Sequence, residues 1–172
     1  MRNHIIVGGA IVVAIIIGVL AFLYSDRNSN ASPSAVVENH SAITPIAVPF
    51  TEIATGTQST VTARTDYLIT SADQLNKLWN MIDAKGNPPT IDFSKNAVAA
   101  VFAGEKPTAG YAIAVSAIED TGVRMVTVIL SEPDGSCSEK KSAVAPYELV
   151  TFPVTALSLT HQDEATTTGC VN

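Results

Sequence analysis

The sequence predicts an α+β fold that is mainly β: an antiparallel β sandwich or half-barrel with one amphipathic helix packed on it, preceded by a transmembrane helix. Residues 46–172 contain several runs rich in Val, Ile, Thr and aromatic residues, separated by turn-forming residues. One segment that begins at Ser71 has apolar residues at helical spacing. Residues 5–24 form an uncharged apolar run. The chain therefore divides into a cytoplasmic tip with a membrane anchor (1–24), a flexible linker (25–45) and an extracytoplasmic domain (46–172).

The apolar run at residues 5–24 is long enough to cross a membrane. Its 20 residues, at ~1.5 Å rise per residue, span a hydrocarbon core of ~30 Å. The apolar region of a cleaved signal peptide is shorter, roughly 7–15 residues, and small residues follow it, whereas this run ends Phe22-Leu23-Tyr24. We therefore expect an uncleaved single-pass anchor, with cleavage as the alternative. The short amino-terminal tail favours a cytoplasmic amino terminus and a domain outside the cytoplasm.

The composition beyond the anchor limits the class of partner. Residues 25–45 are rich in Ser, Asn and Ala, with little to bury, which predicts a flexible linker. With Arg2 excluded, 9 basic and 16 acidic residues give a formal charge of −7. Such a surface repels phosphate backbones, so nucleic acid is not an expected partner. A neutral or cationic protein is compatible with it.

Two strands and one helix are predicted in the first half of the domain. The strands are residues 46–54 and 60–70, and β-branched and aromatic residues dominate both. Ser71 and Gln74 form a capping-box pattern ahead of an apolar stripe made by Leu75, Leu78, Trp79 and Ile82. Lys85 in the last turn, followed by Gly86, predicts the end of the helix there. The stripe faces a sheet, and Trp79 is expected in the core.

Five more strands follow the helix, and one hairpin is evident among them. The hairpin turn is Asp120-Thr121-Gly122. Some strands, above all residues 123–131, have apolar residues on both alternation phases, which indicates that both faces are at least partly covered. The predicted strands are residues 97–104, 111–119, 123–131, 147–154 and 156–161.

The residues that usually carry catalysis are not arranged for it in this sequence. Its three histidines are His4, His40 and His161, so no H-x-x-H or HExxH pair exists to hold a metal. A nucleophile would need a base, for which His161 is the sole candidate in the domain, and no serine has a G-x-S-x-G context. We therefore expect neither enzymatic activity, nor catalytic residues, nor a metal or cofactor site.

The two cysteines, Cys137 and Cys170, lie in polar, turn-rich surroundings without C-x-x-C spacing. On an exported domain such a pair predicts one structural disulfide. Closing that loop would stabilise the domain by about 3–4 kcal/mol in the chain-entropy model. It would also hold the carboxy-terminal tail to the domain.

Residues 104–111, GEKPTAGY, are the candidate binding loop. Glycines that can adopt positive φ, a proline with fixed φ and an aromatic side chain describe a loop with a pre-set shape, and such loops suit protein recognition. In the alternative, the two glycines end and begin strands and the tyrosine belongs to the core. The candidate contact residues are Gly104, Glu105, Lys106, Pro107, Thr108, Gly110 and Tyr111.

The segment around this loop resembles the carboxy-terminal domain of the PrcB family of protease-complex subunits. The resemblance covers roughly residues 70–154, and its most specific parts are residues 104–111 and 145–147, with 150–153. It implies a bacterial cell-membrane or envelope protein that is not an enzyme and that binds or stabilises another protein, such as an envelope or secreted protease. A membrane helix in place of a lipid-anchoring cysteine, and the cysteine pair, depart from the family pattern.

Two alternative functions stay open on the sequence. Residues 107–111, Pro-Thr-Ala-Gly-Tyr, are similar to the inhibitory loop of chagasin-like inhibitors of cysteine proteases, which implies direct inhibition through the 104–111 loop. The tryptophan-bearing features that accompany that loop are missing, since the single tryptophan is Trp79. A purely structural or adhesive envelope protein is the other alternative.

Overall fold

The computed structural model describes residues 44–170, which form eight strands and one helix. The predicted anchor at residues 5–24 and nearly all of the predicted linker lie outside this range. Within residues 44–170 no helix is both long and apolar enough to cross a membrane. In chain order the elements are β1 (Ile46–Ala47), β2 (Thr51–Gly56), β3 (Thr65–Ile69), α1 (Ala72–Trp79), β4 (Asn96–Phe102), β5 (Ala112–Asp120), β6 (Arg124–Pro133), β7 (Tyr147–Pro153) and β8 (Leu159–Thr168).

The strands form two four-stranded sheets, neither of which closes into a barrel. The outer sheet has the order β1-β5-β6-β8, with β8 parallel to β6 and the other neighbours antiparallel. The central sheet has the order β2-β7-β4-β3 and is antiparallel throughout. The prediction of a mainly β fold with largely antiparallel sheets and one helix is confirmed, and the two sheets share a core as in a sandwich.

Strand β4 lies at the centre of the fold and is buried on both faces. Ala99 and Val101 face the core between the two sheets. Ala100 and Phe102 point the other way, into a second core beneath α1. The helix therefore covers one face of the central sheet and the outer sheet covers the other, which is why apolar residues occupy both phases of β4. In β6, by contrast, the outward-facing residues are only half-buried.

Helix α1 begins where the sequence predicts but ends earlier. Ser71 Oγ accepts a hydrogen bond from Gln74 N at 3.3 Å, and Leu75, Leu78 and Trp79 are buried against the central sheet, as predicted. The prediction of a helix as far as Lys85 is wrong. The chain turns at Asn80 and Met81, and Ile82 then pairs with Ser59. Thr60 N donates to Met81 O at 2.8 Å, and Asp83 N donates to Gln58 O at 3.1 Å. This pairing competes successfully with another helical turn.

The predicted strand at residues 46–54 is two strands in different sheets. Val48 N still donates to Ile118 O of the outer sheet at 2.8 Å, but Pro49 has no amide hydrogen to continue the ladder. The chain then crosses to the central sheet and forms β2. The strand predicted at residues 60–70 is shorter, because residues 60–64 are irregular.

The last strand differs most from its prediction. Residues 156–161 were expected to form it, whereas β8 runs from Leu159 to Thr168 and pairs along its whole length with β6. Its sequence, LTHQDEATTT, has no apolar alternation, because nine of its ten residues are exposed. The strand is held by its backbone hydrogen bonds rather than by burial.

Candidate functional site

The candidate loop, residues 104–111, connects β4 of the central sheet to β5 of the outer sheet, and neighbouring segments hold its backbone on two sides. Glu105 N donates to Thr62 O at 3.0 Å on one side. On the other side Lys106 N donates to Val144 O at 2.7 Å and Val144 N donates back to Lys106 O at 3.0 Å, while Ala109 N donates to Lys140 O at 3.1 Å. The loop therefore has a defined shape without a ligand.

The two glycines of this loop are required by its backbone. Gly104 has a φ of 76° and Gly110 a φ of 91°, in the left-handed region that favours glycine. A Cβ atom on Gly104 would lie 2.8 Å from the backbone carbon of Ala63. One on Gly110 would lie 3.1 Å from Pro133 Cβ. Both positions thus serve folding, whatever else the loop does.

The other candidate residues of the loop form its outward surface. Glu105 and Pro107 are exposed, whereas Lys106, Thr108 and Tyr111 are half-buried. Lys106 Nζ lies 5.5 Å from the centroid of the Tyr111 ring, which is cation–π distance. Tyr111 is therefore neither a fully buried core residue nor a free aromatic side chain.

A second loop, residues 134–146, lies beside the first and is fixed by the disulfide. Cys137 and Cys170 are bonded, with their Cα atoms 5.2 Å apart, which confirms the predicted pair. Asp134 N donates to Thr168 O at 2.9 Å, at the end of β8. The Ser136 hydroxyl and backbone N–H donate to Asp134 and lower the pKa of its carboxyl. We call residues 104–111 together with residues 134–144 the paired-loop surface.

Glu148 carries a buried carboxyl group that the sequence analysis did not identify as a candidate functional residue. Glu148 of β7 is 7% exposed, faces the core between the sheets and accepts a hydrogen bond from Val115 N of β5. Burial raises its pKa to about 7; the Val115 N–H opposes this rise, and a hydrogen bond with Glu52 together with that carboxylate's charge adds to it. Its signal in the sequence was a single acidic residue inside the apolar strand YELVTFPV.

His161, the one histidine considered as a base, lies in a charged cluster where β3 and β8 approach each other. Its Nδ1 atom is 3.4 Å from Asp66 Oδ2, and its side chain is 57% exposed. The Arg64 guanidinium donates to Asp66 and to Asp163, so both carboxylates already bind a cation. Among the described residues that line the adjacent cleft, none is a serine or a cysteine. Thr160 of that lining does carry a hydroxyl group, next to His161 in the chain.

These observations define a disulfide-linked two-sheet domain whose candidate site is a pair of loops on one end of the sandwich. Residues 97–153 match the family described as PrcB C-terminal. The matched segment runs from β4 to the end of β7 and so includes the paired-loop surface. It is a third of the chain. Comparison with curated proteins and with solved structures gives no match.

Proposed function

We propose that this chain is a membrane-anchored, extracytoplasmic accessory domain that binds and supports an envelope or secreted protease. The observation that carries the proposal is the match of residues 97–153 to the family described as PrcB C-terminal, because that resemblance implies an accessory subunit of a protease complex. The anchor at residues 5–24 and the export of the domain are part of the proposal. The disulfide supports export, since such bonds persist mainly in oxidising compartments.

The paired-loop surface is the proposed contact. It lies within the matched segment, and its two loops are joined by three backbone hydrogen bonds between residues 106–109 and 140–144. Because the loops are already ordered, binding would cost little conformational entropy. Glu105, Pro107, Lys140 and Lys141 are exposed there and are available to a partner.

Two charge-reversal variants test the contact, one on the paired-loop surface and one, as a control, on helix α1. Lys106→Glu changes the paired-loop surface, and Lys77→Glu makes the same change on the exposed face of α1. In cells of the producing organism, loss of the chain should lower the amount of active protease in the envelope. Wild type and Lys77→Glu should restore that amount, whereas Lys106→Glu should not, although it melts at a similar temperature. Full restoration by Lys106→Glu would remove the paired-loop surface from the proposal.

An accessory subunit and an inhibitor have opposite effects on protease activity. A supporting subunit raises or maintains protease activity, whereas an inhibitor that used residues 104–111 would lower it. Titration of the purified chain against papain-type and subtilisin-type proteases separates the two. Loss of protease activity at micromolar concentrations of the chain would contradict the accessory role and favour the chagasin-like alternative.

A further inference from the structure

A second surface lies on the side of the sandwich, where the edges of the two sheets meet. A cleft of about 310 Å³ opens there between β3, the edge of the central sheet, and β8, the edge of the outer sheet. Its volume is at the lower end of the range for pockets that take small ligands or single large side chains. It is distinct from the paired-loop surface, and none of its lining residues belongs to residues 104–111 or 134–144.

The cleft is an unfilled extension of the core between the sheets. Its floor is formed by Ala99 and Val101 of β4 and by Val126 of β6, all of which belong to that core. Leu68 lies opposite Ala99 in the register, so its side chain is on the same face, towards the outer sheet. Leu159 closes the other side. The small side chain of Ala99 leaves space that no described residue occupies.

Exposed hydrophobic side chains concentrate at this cleft. Among residues 44–170, six large hydrophobic residues are exposed, and the side chains of two of them, Leu68 and Leu159, face the cleft. They have 46% and 37% of their surface exposed, whereas the ring of Tyr67 packs against Phe102 on the other face of the sheet. Single exposed hydrophobic residues are ordinary, but a contiguous group around a concave site is typical of a surface that binds an apolar group.

The cleft borders a charged cluster that has a net negative charge, and Asp66 and His161 of that cluster line the cleft. Arg64 bridges Asp66 and Asp163, and His161 lies beside Asp66. With the histidine counted as neutral, the two carboxylates and one guanidinium sum to −1. Asp163 has 32% of its side chain exposed. An occupant with a positive charge next to its apolar group would therefore complement both parts of the site.

We infer that this cleft binds an apolar side chain of a partner polypeptide that has a basic residue beside it. The apolar side chain would lie over Ala99 and Val126, and the basic group would lie at the carboxylates of Asp66 and Asp163. A polypeptide fits better than a free small molecule because the cleft is an open trough between two strand edges, along which a peptide backbone can lie. This inference does not depend on the protease-accessory role.

Methyl-resolved NMR of the full oxidised chain with three blocked peptides tests the inference. The probes are acetyl-Gly-Lys-Leu-Lys-Gly-amide, the same peptide with both lysines replaced by glutamates, and the same peptide with leucine replaced by alanine. The lysine–leucine peptide should shift the methyl signals of Leu68, Val126 and Leu159. Its affinity should be at least tenfold higher than that of the other two peptides and should fall as salt is added.

Two matched variants locate the site. Leu159→Lys places a charge at the cleft and should lower affinity for the lysine–leucine peptide at least tenfold. Ile46→Lys makes a similar change at the opposite edge of the same sheet, where Ile46 is 68% exposed, and should leave affinity unchanged. Equal binding of the lysine and glutamate peptides, or unshifted cleft methyl signals in the wild-type chain, would overturn the inference. Isobutylamine binding as tightly as the peptide would overturn the assignment to a polypeptide.

Discussion

Replacement of Glu148 by Gln should change how the stability of the domain depends on pH. Burial between the sheets raises the pKa of Glu148 from 4.5 to about 7. The folded state therefore binds a proton more tightly than the unfolded state, and the stabilisation from this proton is complete below pH 4.5. It is lost as the pH rises towards and through 7. At ~1.36 kcal/mol per pKa unit, the loss is up to about 3 kcal/mol at pH 8.

A glutamine at this position keeps an oxygen that can accept the Val115 N–H and does not titrate. Relative to wild type, Glu148→Gln should therefore gain stability as the pH rises from 5 to 8, by up to about 3 kcal/mol. Urea unfolding at pH 5, 6, 7 and 8, followed by the fluorescence of Trp79, measures both chains; Trp79 is the single tryptophan and is buried. The carboxyl groups with lowered pKa, such as Asp92, titrate below this window.

The result that would refute this reasoning is an equal pH dependence in the two chains. If stability between pH 5 and pH 8 changes by the same amount in wild type and Glu148→Gln, the buried carboxyl is not the group responsible. Glu52→Gln provides a graded control. It removes a neighbour that raises the pKa of Glu148, so the decline in stability should end at lower pH and be smaller, but should not disappear.

Three further predictions concern the loops and the buried charge. Cys170→Ser should lower the free energy of unfolding by about 3–4 kcal/mol in the chain-entropy model, and dithiothreitol should destabilise the wild type equally but leave the variant unchanged. Gly104→Ala should lower the free energy of unfolding by about 2–4 kcal/mol, because Gly104 has a positive φ and an added methyl would contact the backbone. Gly135→Ala, where the added methyl has open space, should change it by less than about 0.5 kcal/mol. Equal losses for the two variants in urea unfolding would contradict the backbone argument. Arg124→Met should lower the melting temperature by more than about 5 °C, because the arginine side chain is only 5% exposed and its loss leaves the Asp120 carboxylate unpaired. Lys95→Met, at an exposed ion pair, should shift the melting temperature by less than about 2 °C. Similar shifts for the two variants in calorimetry would contradict this account.

The elements that the sequence predicts best are those that bury one clear stripe or run. Helix α1 begins at its capping box, and β4 and β7 are found within one or two residues of their predictions because their apolar runs lie in the core. The predicted end of the helix was wrong because the chain there pairs Ile82 with Ser59, a contact between residues distant in sequence. No local signal encodes such a contact.

Strand β8 is the element that the sequence predicts least well. Its parallel partner β6 satisfies its backbone groups, while its side chains stay exposed. Hydrophobic periodicity reports burial, so it cannot report a strand whose side chains stay exposed. The sequence did identify the disulfide at the end of this strand, because cysteine pairing depends on compartment and number rather than on periodicity.

The candidate site was predicted in part. The sequence identified residues 104–111 as the candidate loop and Cys137 as a disulfide partner, and the structure places the loop that carries Cys137 beside residues 104–111. Their pairing through Lys106 and Val144 could not be predicted, because 38 residues separate the two positions along the chain. The cleft at Leu159 was missed because its lining residues come from four strands that are distant from one another in sequence.

The bond between Cys137 and Cys170 also bears on how the chain avoids self-association. Strand β8 covers the edge of β6, whose sequence includes the run VTVIL. If β8 detached, that edge would become an unpaired apolar strand, which is a template for aggregation or for exchange of strands between copies. The disulfide fixes the far end of β8 to the same molecule, so a detached strand stays close to its own β6. In a reducing environment this safeguard is removed, and we expect oligomers to form before the domain unfolds globally.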